Sequence, residues 1–189
     1  MTLPLSTTAL LVMDLQNGIV SRFADKEELL HPFRQAVEAA RAKEIPVIYV
    51  RVAFREGYAE ISPRNKSFSA LAGYGGMSET DEATQIHAFV KPLPHEPVVT
   101  KRRVSAFAGS DLDVLLRARG IDTLVLTGIS TSGVVLSTLR EAADKDFAVK
   151  VLADACLDQD PEVHGVLTEK VFPRQADVMT VGAWIDALG

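Results

Sequence analysis

The strongest constraint on this chain is an alternation, in which short continuous runs of apolar, often β-branched residues are separated by longer amphipathic stretches. The first run is Ala9-Leu10-Leu11-Val12-Met13. Leu29, Phe33, Val37 and Ala40 then recur at helical spacing, and Pro46 precedes a second run, Val47-Ile48-Tyr49-Val50. Runs without polar alternation suit a sheet covered by helices on both faces, and strand–helix–strand alternation is the pattern of parallel βαβ units. The expectation is an α/β fold, a three-layer α/β/α sandwich around a doubly wound, mainly parallel, six-stranded Rossmann-like sheet.

The remaining runs complete the six. Pro97-Val98-Val99-Thr100 reads as a third strand, and Ser110-Asp111 can cap a helix through Arg119 that Gly120 closes. Thr123-Leu124-Val125-Leu126 is the fourth strand, followed by a helix over residues 131–144. Val149-Lys150-Val151-Leu152 is the fifth, Pro161 to Phe172 a helix with proline near its start, and Val178-Met179-Thr180-Val181 the sixth, before a short helix carrying Trp184. Between the second and third strands lie about 45 residues containing Gly57, Pro63, Gly73, Gly75 and Gly76, long enough to form a lid or an oligomer contact. A length of 189 residues suits one domain spanning 1–189.

Composition narrows the function classes. A net charge of −5, with no basic run longer than Lys101-Arg102-Arg103, leaves little to neutralise phosphates, so nucleic acid is not an expected partner. The longest apolar runs fall far short of the roughly 20 residues a membrane-spanning helix needs, and the start of the chain lacks the positive region of a signal peptide. The single Cys156 cannot form an internal disulfide, which fits the cytoplasm. His31, His87, His95 and His164 show no paired spacing and there is no HExxH or CxxC, so no metal is expected. Neither a GxGxxG nor a GxxxxGK[ST] loop is present, which leaves no expected nucleotide cofactor.

In open α/β sheets ligands bind beyond the carboxyl ends of the strands, so polar residues directly after each strand are the first candidates. Asp14 follows the first strand with Gln16 and Asn17 behind it, Lys101 ends the third, and Asp154 ends the fifth. A carboxylate and an ammonium converging in a cleft tune each other for proton transfer. On position alone, however, Asp14 and Lys101 read sooner as a helix-capping aspartate and a solvated lysine, and Asp154 reads as structural. Gly128-Ile129-Ser130-Thr131-Ser132-Gly133 opens a helix whose first N–H groups favour a developing oxyanion, or is simply a glycine turn with hydroxyl caps. Cys156 reads as a half-buried core residue, the histidines as caps and surface residues, and Trp184 as a packing anchor.

Taken together, the segments Ala9 to Asn17, Lys101 to Phe107, Gly109-Ser110-Asp111-Leu112 and Gly120 to Thr131 resemble the isochorismatase-like hydrolases. That superfamily includes nicotinamidases, carbamoylsarcosine amidases and isochorismatases. The resemblance implies that Asp14 and Lys101 are two members of the family's Asp-Lys-Cys triad, with a cis peptide at Ile129-Ser130. The nucleophile normally lies three residues after the threonine of the G-x-x-T segment, which here is Val134, a side chain that can neither attack nor ionise. Nicotinamidases carry an Asp-x-His metal motif where this chain reads Arg51-Val52-Ala53-Phe54, which argues against nicotinamide. True isochorismatases also lack the cysteine, and they cleave a vinyl ether with the aspartate moving the proton.

The resemblance therefore implies a hydrolase of a small molecule, cleaving a vinyl ether or C–N bond without a cysteine nucleophile. Asp14 would move the proton beside Lys101. Ser130, Thr131, Ser132 and Gly133 would line the oxyanion and substrate site, with Gln16 and Phe107 beside them and the 54–80 segment shaping the pocket. The alternative is a family member that has lost catalysis and binds a small ligand as a scaffold. A homo-oligomer, a dimer or tetramer, is expected by resemblance.

Overall fold

The computed structural model describes residues 7–23 and 27–189. Its six strands are β1 (Thr8–Met13), β2 (Val47–Val52), β3 (Val98–Lys101), β4 (Thr123–Ile129), β5 (Ala148–Leu157) and β6 (Asp177–Met179). They form one sheet in the order β3-β2-β1-β4-β5-β6, with every pairing parallel. The α-helices are α1 (Asn17–Val20), α2 (His31–Ala42), α3 (Lys66–Tyr74), α4 (Leu112–Ala118), α5 (Leu136–Asp144), α6 (Pro161–Val166) and α7 (Val181–Leu188). Part of the N-terminal stretch read against a signal peptide, residues 1–6, lies outside the described residues. Among the described residues no helix is long and apolar enough to cross a membrane.

Period-two geometry explains why the strands carry no polar alternation. Leu10 and Val12 of β1, Val47 and Tyr49 of β2, Val125 of β4 and Leu152 of β5 share one face with Phe33, Ala36, Val37 and Ala40 of α2 and Trp184 of α7. Their neighbours Ala9, Leu11 and Met13, Ile48 and Val50, Leu124 and Leu126 point the other way, onto Leu112 and Leu116 of α4 and Leu139 and Ala142 of α5. Both faces are core, so both sets must be apolar.

Several boundaries move. β5 is ten residues long and not four, because a register shift between Leu126 and Gly128 lets it pair with β4 a second time, Gly128 against Cys156 and Ile129 against Leu157. β3 begins at Val98, one residue later than the expected run, and ends at Lys101 as expected. β6 stops at Met179, and Val181 starts α7, which Thr180 caps by accepting from the Ala183 N–H. The two longest expected helices are composite: a π-helical turn at Thr131–Val135 precedes α5, and another at Leu167–Val171 follows α6. Ser110 accepts the Leu112 N–H at the start of α4, whereas the Asp111 side chain makes no cap bond. Gly120 adopts the expected left-handed conformation, φ 65°.

The terminal helix rests on one large side chain. Trp184 is 1% exposed against α2, and truncating a fully buried tryptophan costs about 3–5 kcal/mol. Trp184→Ala is expected to lose that amount in urea unfolding, and a loss below roughly 1 kcal/mol would show that α7 contributes little to the core.

Candidate active site

The strand order runs one way from β1 through β2 to β3 and the other way from β4 through β5 to β6, so the topological switch point lies between β1 and β4. A cleft of about 610 Å³ opens there. Its floor includes Asp14 directly after β1, Lys101 at the end of β3, and Ser130 directly after β4. Val134, one turn into the following helix, is 2% exposed and lines the same cleft.

Asp14 and Lys101 are neither a cap nor a solvated lysine. Only 2% of the Lys101 and 7% of the Asp14 side-chain surface is exposed, and Lys101 Nζ lies 3.0 Å from Asp14 Oδ2. Lys101 also donates to the Arg103 carbonyl at 3.0 Å. Asp14 is held by its backbone, whose N–H donates to the Val50 carbonyl at 2.8 Å. Its φ of 60° places it in the left-handed region, which aspartate tolerates better than a β-branched residue does. Asp14 Oδ1 is buried with no hydrogen-bond partner among the described residues. Burial raises the Asp14 pKa, Lys101 pulls it back by charge and hydrogen bond, and the net direction is upward.

The turn after β4 has the cis peptide at Ile129-Ser130 that the resemblance implies. Packing there admits no side chain at Gly128, where a Cβ would meet the Met13 carbonyl oxygen at 2.8 Å, and Gly133 is equally tight against Ser130 Oγ. Ser130, Ser132 and Gly133 line the cleft. Thr131 does not: it is fully buried, and its hydroxyl pairs with His164 Nδ1 at 2.8 Å. Two of the first-turn donors expected for an oxyanion are already engaged, the Ser132 N–H by Asp158 Oδ2 at 2.8 Å and the Gly133 N–H by the Ser130 carbonyl.

Other expected residues take different places. Phe107 is not among the cleft residues; it packs in the core against Phe147, with the Lys145 ammonium over its ring. Gln16 touches the cleft, but its amide is spent on architecture, donating to the Val52 and Thr84 carbonyls and accepting the Val52 N–H. Asp154 lies inside β5, not at its end, and accepts the Val181 N–H at the start of α7. Cys156 also lies inside β5 and is fully buried, not half-buried, with its thiol pushed up to about 12 by burial. His87 accepts the Phe89 N–H as a cap, and His31 meets the edge of the Phe89 ring. The 54–80 segment does shape the cleft, through Phe68, Leu71, Tyr74 and Met77.

Sequence reasoning missed Asp158 and Gln159, which border the cleft after β5, and Arg22 and Val104 on its walls. For Asp158 the signal existed, since it directly follows a strand, but the strand's true end was hidden.

The isochorismatase domain model matches residues 8–183. The chain belongs to the isochorismatase family. It is 33% identical to the ureidoacrylate amidohydrolase of Stutzerimonas stutzeri, over 97% of this chain and 80% of that one. An isochorismatase family protein from Burkholderia thailandensis superposes with a TM-score of 0.81 at 30% identity, covering 96% and 95% of the two chains. N-carbamoylsarcosine amidase from Thermoplasma acidophilum gives 0.75 at 27% identity, covering 92% and 96%. Isochorismatase family members are hydrolases, and this chain is an isochorismatase-family hydrolase by descent. Among the described residues, no group of three or more His, Cys, Asp or Glu stands close enough to hold a metal ion.

The buried pair predicts a pH-dependent stability. Lys101→Met removes the charge that holds Asp14 down, so its folded pKa rises further above the ordinary 3.8. A raised acid is stable in its protonated form, so stability is retained at low pH and lost as pH rises from the unfolded value through the folded one. Relative to the wild type, the variant's melting temperature is expected to fall little at pH 4.5 and steeply by pH 8, where an uncompensated buried charge costs roughly 3–5 kcal/mol. An equal deficit at both pH values would separate Asp14 ionisation from Lys101.

Proposed function

We infer that this family member hydrolyses a small molecule, at a vinyl ether or C–N bond, without a cysteine nucleophile and without a metal, and that Asp14 is its proton-transfer group. The observation that carries this reading is the Asp14 carboxyl: buried, raised in pKa, paired through one oxygen to Lys101 and unpartnered through the other on the floor of the cleft. A carboxyl raised by its surroundings is populated as the acid nearer neutral pH, the state that delivers a proton. Lys101 orients it and offsets the charge left after transfer. Val134 occupies the family's nucleophile position, so the attacking group is water.

The same acid can serve either bond. With a C–N bond, the water oxygen bonds to the carbonyl carbon as the water gives up one proton, the C–N bond breaks and the Asp14 proton goes to the departing nitrogen. With a vinyl ether, that proton goes to the terminal carbon, water adds to the resulting cation, and the hemiketal collapses to ketone and alcohol. The ureidoacrylate amidohydrolase and N-carbamoylsarcosine amidase among the relatives support the C–N alternative. Where nicotinamidases carry metal ligands, Arg51 instead binds Thr100, the Glu79 carbonyl and Gln85. The single Cys156 suits a reducing cytoplasm, and the family resemblance suggests a homo-oligomer.

Val134 favours a second reading, a catalytically silent protein that binds a small ligand in the same cleft. A hydrolysis screen of amides, carbamoyl compounds and isochorismate separates the two. Wild-type turnover that falls at least 10²-fold in Asp14→Asn is the expected result. Ligand binding without turnover would establish the second reading, and unchanged turnover in Asp14→Asn would remove Asp14 from the chemistry.

A further inference from the structure

If water attacks directly, a group must take its proton, and Asp14 in its acid form cannot do so. The cleft offers one other carboxylate among the described residues. Asp158 follows β5 as Asp14 follows β1, and both line the cleft. β4 lies between those two strands, so the two residues flank Ser130 from opposite sides. Met13 pairs with Gly128 and Ile129 with Leu157, which staggers them by a single residue along the strands. Two strand spacings put their backbones about 10 Å apart, a spacing across which side chains can reach a substrate from both sides, as the two carboxyls of inverting glycosidases do at about 6.5–9.5 Å.

We propose that Asp158 is a second catalytic carboxylate, the general base that takes a proton from the attacking water on the side of the substrate away from Asp14. The proposal rests on the hydrolase reading above and assigns the proton that reading leaves unplaced. In one turnover a water proton passes to Asp158, the water oxygen bonds to the substrate carbon, and the Asp14 proton goes to the leaving nitrogen or the vinyl carbon. Asp158 then releases its proton to solvent and Asp14 takes one up, which restores both.

The local geometry suits a base. Asp158 Oδ2 accepts the Ser132 N–H at 2.8 Å and Oδ1 accepts the Asp160 N–H at 3.3 Å, so the carboxylate is fixed beside the turn that carries Ser130. Each oxygen retains a lone pair for water. Burial works to raise its pKa, but the hydrogen bonds from Ser132 and its neighbours outweigh it and hold the carboxyl below its ordinary value. Asp14 is pushed the opposite way, and two acids driven apart in this manner divide into acid and base.

A competing role is purely structural, with Asp158 capping the Ser132 N–H. Asp158→Asn and Asp158→Ala distinguish the two, because asparagine still accepts that hydrogen bond but cannot take a proton. With the carbamoyl compound or isochorismate that the wild type turns over, a base role lowers kcat on the order of 10²-fold or more in both variants, with KM and melting temperature of the asparagine variant near wild type. Added azide, a nucleophile that needs no deprotonation, should then raise the rate of Asp158→Ala. A capping role leaves Asp158→Asn near wild type and impairs only the alanine variant, which would overturn the proposal while leaving the loss in Asp14→Asn intact. A wild type silent on every substrate would instead overturn the hydrolase reading, and this assignment with it.

Discussion

Burial of the Asp14–Lys101 pair is the constraint around which the carboxyl end of the sheet is organised. Taking two charges out of water costs several kcal/mol each, and only a close, well-oriented contact with further hydrogen bonds offsets it. Here those are the 3.0 Å contact and the Arg103 carbonyl. They exist because three strands end in register: Met13 lies opposite Val50, and Val52 opposite Lys101. A slip of one residue in β3 would turn Lys101 to the other face and leave Asp14 buried alone. The continuous apolar strands therefore exclude water from the pair as well as forming the core.

A second layer of charge holds the long connection over the cleft. Arg102, next to Lys101, donates to the Ala53 carbonyl and pairs with Glu79 and Glu60, and Arg103 reaches the Glu60 carbonyl. Phe54 bonds through its backbone to Met77 and Glu79. Both ends of the 54–80 segment are thus fixed to β2 and the turn after β3. Its middle, α3, presents Phe68 and Leu71 to the cleft and leaves Tyr74 exposed. The base of this connection is anchored by ion pairs, while its contribution to the cleft is apolar.

The fold was legible because periodicity and burial state the same thing: helices on both faces demand strands apolar on both sides. Asp14 and Lys101 were legible as candidates for a similarly local reason, since each directly follows or ends an apolar run. What escaped was long-range. The fifth strand's sequence Ala153-Asp154-Ala155-Cys156-Leu157 reads as a strand end, because an aspartate interrupts the apolar run. Only the register shift against Gly128, which no local pattern announces, extends pairing to Leu157. That error moved the strand-end rule from Asp158 to Asp154. Phe107 failed for a related reason: an aromatic near Lys101 in sequence packs inward against Phe147, a neighbour 40 residues away.

Val134 and the raised Asp14 are two sides of one arrangement. A thiolate at that position would add a second negative charge near Asp14, which Lys101 would then have to offset as well, and Asp14 would be drawn toward accepting the thiol proton. With valine there, the side chain beside Gly128 is apolar and has no proton to give or take. Burial then outweighs the pull of Lys101, and the carboxyl pKa lies above its ordinary value. On the proposed reading, loss of the nucleophile converts the same aspartate from a group that removes a proton into one that supplies it. The demand for a base then moves two strands across the sheet, to the position that follows β5.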